Sequence, residues 1–124
     1  MKEELVSIIM PTYNAGKFLA DSIRCIQRQT YKNWELLITD DASNDEQTTL
    51  ILKKFALEDS RIKIQLLQEN HGPGYARNKC IERANGRYIS FCDCDDRWTP
   101  DKLEVQVRFK VDDEMIGMGD RRCK

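Results

Sequence analysis

Val6-Ser-Ile-Ile-Met10, then Pro11-Thr-Tyr-Asn14, then Gly16 to Gln29 with Phe18, Leu19, Ile23 and Ile26 recurring on one face, is the stretch that decides the fold. A near-continuous apolar run stopped by proline is the pattern of a strand covered on both sides. The apolar stripe behind it, at spacings of three and four, is that of an amphipathic helix. Together they predict a βα unit whose first strand ends at Pro11.

The unit recurs outward along the chain. Trp34 to Thr39 reads as a second strand, and Ser43-x-x-Glu46 after Asp40-Asp41 reads as a capping box that opens a helix to about Leu57. Arg61 to Leu67 alternates Ile62, Ile64 and Leu66 as a third strand. A helix starting at Pro73 or Gly74 carries Ala76, Cys80, Ile81 and Ala84 inward, and Asn85-Gly86 predicts a left-handed cap. Arg87 to Asp93 reads as a fourth strand, and Thr99 as N-cap with Pro100 behind it predicts a last helix through Phe109. Strands alternating with helices of this length argue for an α/β fold, a mostly parallel Rossmann-like sheet flanked by helices.

In such sheets the ligand crevice lies at the carboxyl ends of the strands. The polar residues collect there: Thr12 to Asn14, Asp40 and Asp41, Asn70 to Gly74, and Asp93, Asp95 and Asp96. The chain has 124 residues, 40% hydrophobic and 33% charged, which suits one core and not two. Twenty Lys and Arg against 21 Asp and Glu leave no basic excess for a phosphate backbone, so no nucleic acid is expected as a partner. The apolar stretch behind the N-terminus is too short for a signal core or a membrane span, and the expected location is cytoplasmic. Five cysteines (Cys25, Cys80, Cys92, Cys94 and Cys123) show no paired CxxC spacing and read as reduced structural thiols, not as ligands of a zinc site with His71.

Three carboxylates in Asp93-Cys94-Asp95-Asp96 repel one another unless a cation intervenes, and all-oxygen ligands suit Mg²⁺ or Mn²⁺ with positions left open for a diphosphate. An isolated acidic turn of this kind would be solvated surface; the acidic pair at the neighbouring strand end argues for a site. Tyr13 offers a ring for stacking on a planar base, although a core tyrosine would look the same. Asp41 can accept from a base or ribose donor, whereas Asp40 reads as charge complementation at a helix N-terminus. Asn70 to Gly74 leads into a helix bearing Arg77, where backbone amides and a guanidinium can meet phosphate oxygens. There is neither a P-loop nor a GxGxxG fingerprint. His71, the lone histidine, reads as a loop residue rather than an acid–base catalyst.

Taken in order, Val6 to Asn14, Ile38-Thr-Asp-Asp-Ala-Ser-Asn-Asp45, Gly72-Pro-Gly-Tyr-Ala-Arg-Asn78, Gly86-Arg-Tyr-Ile-Ser-Phe91 and Asp93 to Asp96 with Trp98-x-Pro-Asp-Lys-Leu103 resemble the inverting family 2 glycosyltransferases. The resemblance implies a GT-A fold, here incomplete, a nucleotide-diphosphate-sugar donor with UDP-sugars favoured, Mg²⁺ or Mn²⁺, and transfer to a sugar or lipid-linked acceptor hydroxyl with inversion. It also implies cell-surface polysaccharide or glycolipid synthesis at the cytoplasmic membrane face. Carried over, it places Pro11, Thr12, Tyr13, Asn14, Asp41, Arg77 and Asp95 at the nucleotide sugar, with Tyr13 on the base and Asp41 as the base-binding carboxylate. Asp95 would hold ribose and diphosphate oxygens and Asp96 would be the principal metal ligand, so the metal set is Asp95 and Asp96.

The resemblance covers the nucleotide-sugar-binding half, residues 1–109, and fades in 110–124, which reads as a charged tail. The family's general base lies well beyond its acidic motif, and no residue here is assigned that role. The rival reading is a truncated, non-catalytic nucleotide-binding or interaction domain, its exposed sheet edges pairing with a second copy in a homodimer.

Overall fold

The computed structural model describes residues 4–109 and 118–120. The elements run β1 (Val6–Thr12), α1 (Lys17–Gln27), β2 (Trp34–Asp40), α2 (Glu46–Glu58), β3 (Ile62–Leu66), α3 (Pro73–Arg83), β4 (Tyr88–Phe91), α4 (Lys102–Phe109) and β5 (Met118–Asp120). The sheet order is β3-β2-β1-β4-β5, with four parallel strands and β5 antiparallel on β4. The α/β reading with a mostly parallel sheet therefore holds. The sequence pattern suggests a fourth strand reaching Asp93 and none after it, whereas β4 stops at Phe91 and β5 follows at Met118–Asp120.

Alternation along β1 divides the core. Val6, Ile8 and Met10 face α1, α2 and α4 and pack with Leu19, Ile23, Ile26, Leu52, Phe55 and Leu103. Ile9 faces the other way, with Leu37, under Cys80 of α3 and Ala84 just past it. Both faces of β1 and β2 are covered, which is why their sequences read as unbroken apolar runs.

Four local expectations are corrected; in the last, the final helix starts at Lys102 and not behind Thr99 at Pro100. Pro11 does not end the first strand; β1 runs on to Thr12, paired with Asp40. Ile9 O accepts from Cys92 N on the β4 side while Thr12 O accepts from Asp41 N on the β2 side. Pro11, two residues on from Ile9, thus faces the β4 side beyond the last paired residue Phe91, where its missing N–H breaks no ladder bond. Nor does Ser43 form a capping box. The N-cap of α2 is Asp45, without a side-chain cap bond, because the Ser43 hydroxyl donates to Asp40 Oδ1 and accepts from Asn14 N.

Asn85-Gly86 is no left-handed cap either. The C-cap of α3 is Ala84 in extended conformation, and Gly72 and Gly16 are the glycines with positive φ among the described residues. Gly86 is needed for closeness instead: a Cβ there would lie 2.7 Å from Ser7 N and 2.8 Å from Leu5 O. At α4, the Thr99 hydroxyl bonds Asp101 while its carbonyl accepts from Lys102 N, so a turn precedes the helix.

At the amino ends of the strands, buried Glu35 accepts from Ser7 Oγ (2.6 Å), Asn85 N (2.7 Å) and Lys63 Nζ (2.9 Å). Burial raises its pKa, but the bonds from Ser7, Asn85 and Lys63 and the Lys63 charge outweigh that and hold it below the ordinary 4.5. Because the folded value is depressed, the stabilisation is full above about 4.5 and is lost as pH falls through the folded value. Glu35→Gln is expected to cost about 2 kcal/mol at pH 7. Urea titrations of both proteins should show that difference shrinking below pH 4.5; a constant difference would remove the linkage.

Candidate functional site

Strands β2 and β3 lie on one side of β1 and β4 on the other, so the order reverses between β1 and β4, the switch point at which open α/β sheets bind ligands. A cleft of about 540 Å³ opens at the carboxyl ends there. Pro11, Thr12, Tyr13, Asp41, Arg77 and Asp95, all nominated from sequence, line it. Asn14 and Asp96 do not.

Asn14 is occupied elsewhere. At φ 48° it turns the chain out of β1, and its Oδ1 accepts from Asn44 N and Asp45 N, tying the strand exit to the start of α2. Asp40 is likewise engaged, accepting from Thr12 Oγ1, Ser43 Oγ and Ser43 N. Asp41, 3% exposed, accepts from His71 N at 2.7 Å and Gly72 N at 2.8 Å. It thereby ties the 70–73 turn, and with it the N-terminus of α3, to the end of β2. Gly72 at φ 95° is what lets that turn form. A carboxylate has about four acceptor sites, so Asp41 can still receive a further donor from the cleft.

Tyr13 stands half-exposed at the rim, its ring available for stacking. Opposite, Arg77 of α3 pairs with Asp93 across 3.8 Å. His71 stacks on Tyr75 at 4.3 Å and is not among the cleft residues.

The acidic loop is closed on itself by Asp96 N donating to Asp93 O (3.0 Å) and Asp93 N donating to Asp96 Oδ2 (2.9 Å). Asp96 is thus drawn into the turn while Asp95 reaches the cleft wall. Helix α1 and the residues just past it, which contribute nothing to the cleft lining, grip the segment twice. Fully buried Ser22 donates to Cys94 O (2.6 Å) and Asp96 O (3.0 Å). Past the end of α1, fully buried Gln29 donates to Thr99 O (2.7 Å) and accepts from Leu103 N (2.9 Å). Sequence reasoning missed both; the available signal was a polar Ser22 three residues after Leu19 on the apolar face of α1.

Burial, then the charges of Asp96 and Asp93, push the Cys92 thiol far up, and burial with Asp95 and Asp93 raises Cys94. Both stay protonated and are poor metal ligands. No group of three His, Cys, Asp or Glu positioned for a metal occurs among the described residues. The donor set still fits a hard cation held by one or two carboxylates with its other positions filled by phosphate and water oxygens, the usual arrangement for Mg²⁺.

This topology is that of the GT-A glycosyltransferase fold. S. aureus TarS in complex with UDP superposes with a TM-score of 0.78 at 30% identity, over 86% of this chain and 32% of that one. The mannosyltransferase PcManGT from Pyrobaculum calidifontis, in complex with GDP-Man and Mn²⁺, gives 0.75 at 25% identity over 88% and 32%. Residues 7–122 match the family model for Glycosyl transferase family 2, and the chain belongs to that family.

Among curated proteins, the putative teichuronic acid biosynthesis glycosyltransferase TuaG of Bacillus subtilis is 44% identical over 87% of this chain. The UDP-Glc:α-D-GlcNAc-diphosphoundecaprenol β-1,3-glucosyltransferase WfgD of Escherichia coli is 45% identical over 90%. The chain spans 42% and 43% of the lengths of these two relatives. Among the described residues no helix is long and apolar enough to cross a membrane.

Proposed function

We propose that the cleft between β1 and β4 binds a nucleotide-diphosphate sugar, a UDP-sugar by preference, together with Mg²⁺ or Mn²⁺. The observation that carries this is the convergence of Tyr13, Asp41, Arg77 and Asp95, from four separate segments, on one hollow at the switch point. UDP in TarS, UDP-Glc in the name of WfgD and Mn²⁺ in the PcManGT complex support the choice of ligands.

In this reading the base stacks on Tyr13, and Asp41 sets the edge of the base pocket through the 70–73 turn it holds. The diphosphate lies between the N-terminus of α3 with Arg77 and the acidic loop. Asp95, on the cleft wall, would hold the cation, and Asp96, one residue on, would be its second ligand. When bound, the cation supplies Lewis-acid stabilisation of the departing diphosphate. Within the complete protein the sugar passes with inversion to a hydroxyl of a sugar or lipid-linked acceptor, the class that the WfgD name describes, in cell-surface polysaccharide or glycolipid synthesis.

Calorimetry of the chain with UDP in Mn²⁺ tests the reading. Tyr13→Ala is expected to weaken binding about tenfold, since base–aromatic stacking contributes roughly 1–3 kcal/mol. Equal affinity in the variant would remove Tyr13 from the base site, and no UDP binding by the wild-type chain would overturn the reading itself.

A further inference from the structure

We infer that Ser22 is a positioning residue for metal-dependent donor binding: from the opposite side of the acidic loop it sets the direction in which Asp95 points. The inference rests on the donor-binding reading above. Three carboxylates in four residues repel one another, so a loop of this composition opens unless something holds its backbone. The Ser22 hydroxyl is placed to do so. Its single hydrogen is shared between Cys94 O at 2.6 Å and Asp96 O at 3.0 Å, the carbonyls on either side of Asp95.

With both neighbouring carbonyls drawn toward α1, the Asp95 side chain is left on the cleft side, where it lines the wall. The oxygen of Ser22 in turn accepts from Arg97 Nη1 at 3.3 Å, and Arg97 Nη2 lies 3.6 Å from Asp21 of the same helix. Ser22 is fully buried, so water cannot replace it. The loop is thus shaped before any cation arrives, which lowers the ordering cost of binding.

The test uses the whole 124-residue chain. Hydrogen exchange and UDP calorimetry, the latter with Mn²⁺ and again in chelator, are measured for wild type and Ser22→Ala. The expected result is at least tenfold faster exchange for the amides of residues 93–97 with β1 and β2 unchanged. UDP affinity in Mn²⁺ should fall about tenfold, in line with the loss of a group orienting a ligand, while affinity in chelator changes less than twofold. Arg97→Gln, on the exposed side of the same contact, should act in the same direction and more weakly without threatening the fold.

Equal losses with and without Mn²⁺ in both variants, or unchanged loop exchange, would overturn the inference. Failure of the wild-type chain to bind UDP would strike the donor-binding reading instead, and the exchange data would still decide whether Ser22 holds the loop.

Discussion

Asp95→Asn is expected to abolish the Mn²⁺-dependent part of UDP binding, a loss on the order of 100-fold or about 2.7 kcal/mol, and to leave folding stability within about 0.5 kcal/mol. Asp95 is exposed on the cleft wall and none of the described side-chain bonds engages its carboxylate, so its replacement removes charge without opening the structure. The resemblance of the sequence to family 2 enzymes had put the principal metal contact on Asp96. With Asp96 Oδ2 already accepting from Asp93 N, Asp96→Asn should cost less in binding and more in loop order. Titration of UDP into each variant, with and without Mn²⁺, separates the two. A larger loss in Asp96→Asn would return the main role to that residue.

The largest effect on stability is expected at Gly86. Ala at this position would bring its Cβ to 2.7 Å from Ser7 N and 2.8 Å from Leu5 O, both backbone atoms at the start of the central strand. Relief requires the 85–87 turn to move away, which breaks Gly86 N to Ser7 Oγ and Arg87 N to Leu5 O. Overpacking of this sort with lost buried bonds costs about 3 kcal/mol, roughly 10 °C in melting temperature for a chain this size. Thermal denaturation of Gly86→Ala reads it directly; a shift under about 3 °C would mean that the turn yields cheaply.

The sheet was legible because parallel strands buried on both sides leave unbroken apolar runs, as in Val6–Met10 and Leu36–Ile38, each followed by a helical stripe. That Tyr13, Asp41, Arg77 and Asp95 share one rim was legible because parallel strands all send the segments that follow them to the same edge of the sheet. Where the reading departed from the structure, a distant partner decided the outcome. Ser43 was drawn to Asp40 and Asn14 rather than to its own helix. Gly86 answers to Ser7, 79 residues away. Ser22 reaches carbonyls 72 and 74 residues along the chain, a contact no local pattern announces.

A crystal structure of the chain with UDP and Mn²⁺ tests the central claim most directly. It should show the uracil ring against Tyr13, the diphosphate between Arg77 and the acidic loop, and the ion within bonding distance of Asp95. UDP seated instead in the shallower hollow of about 450 Å³ at the start of α2, between Ser43 and Leu50, would contradict it.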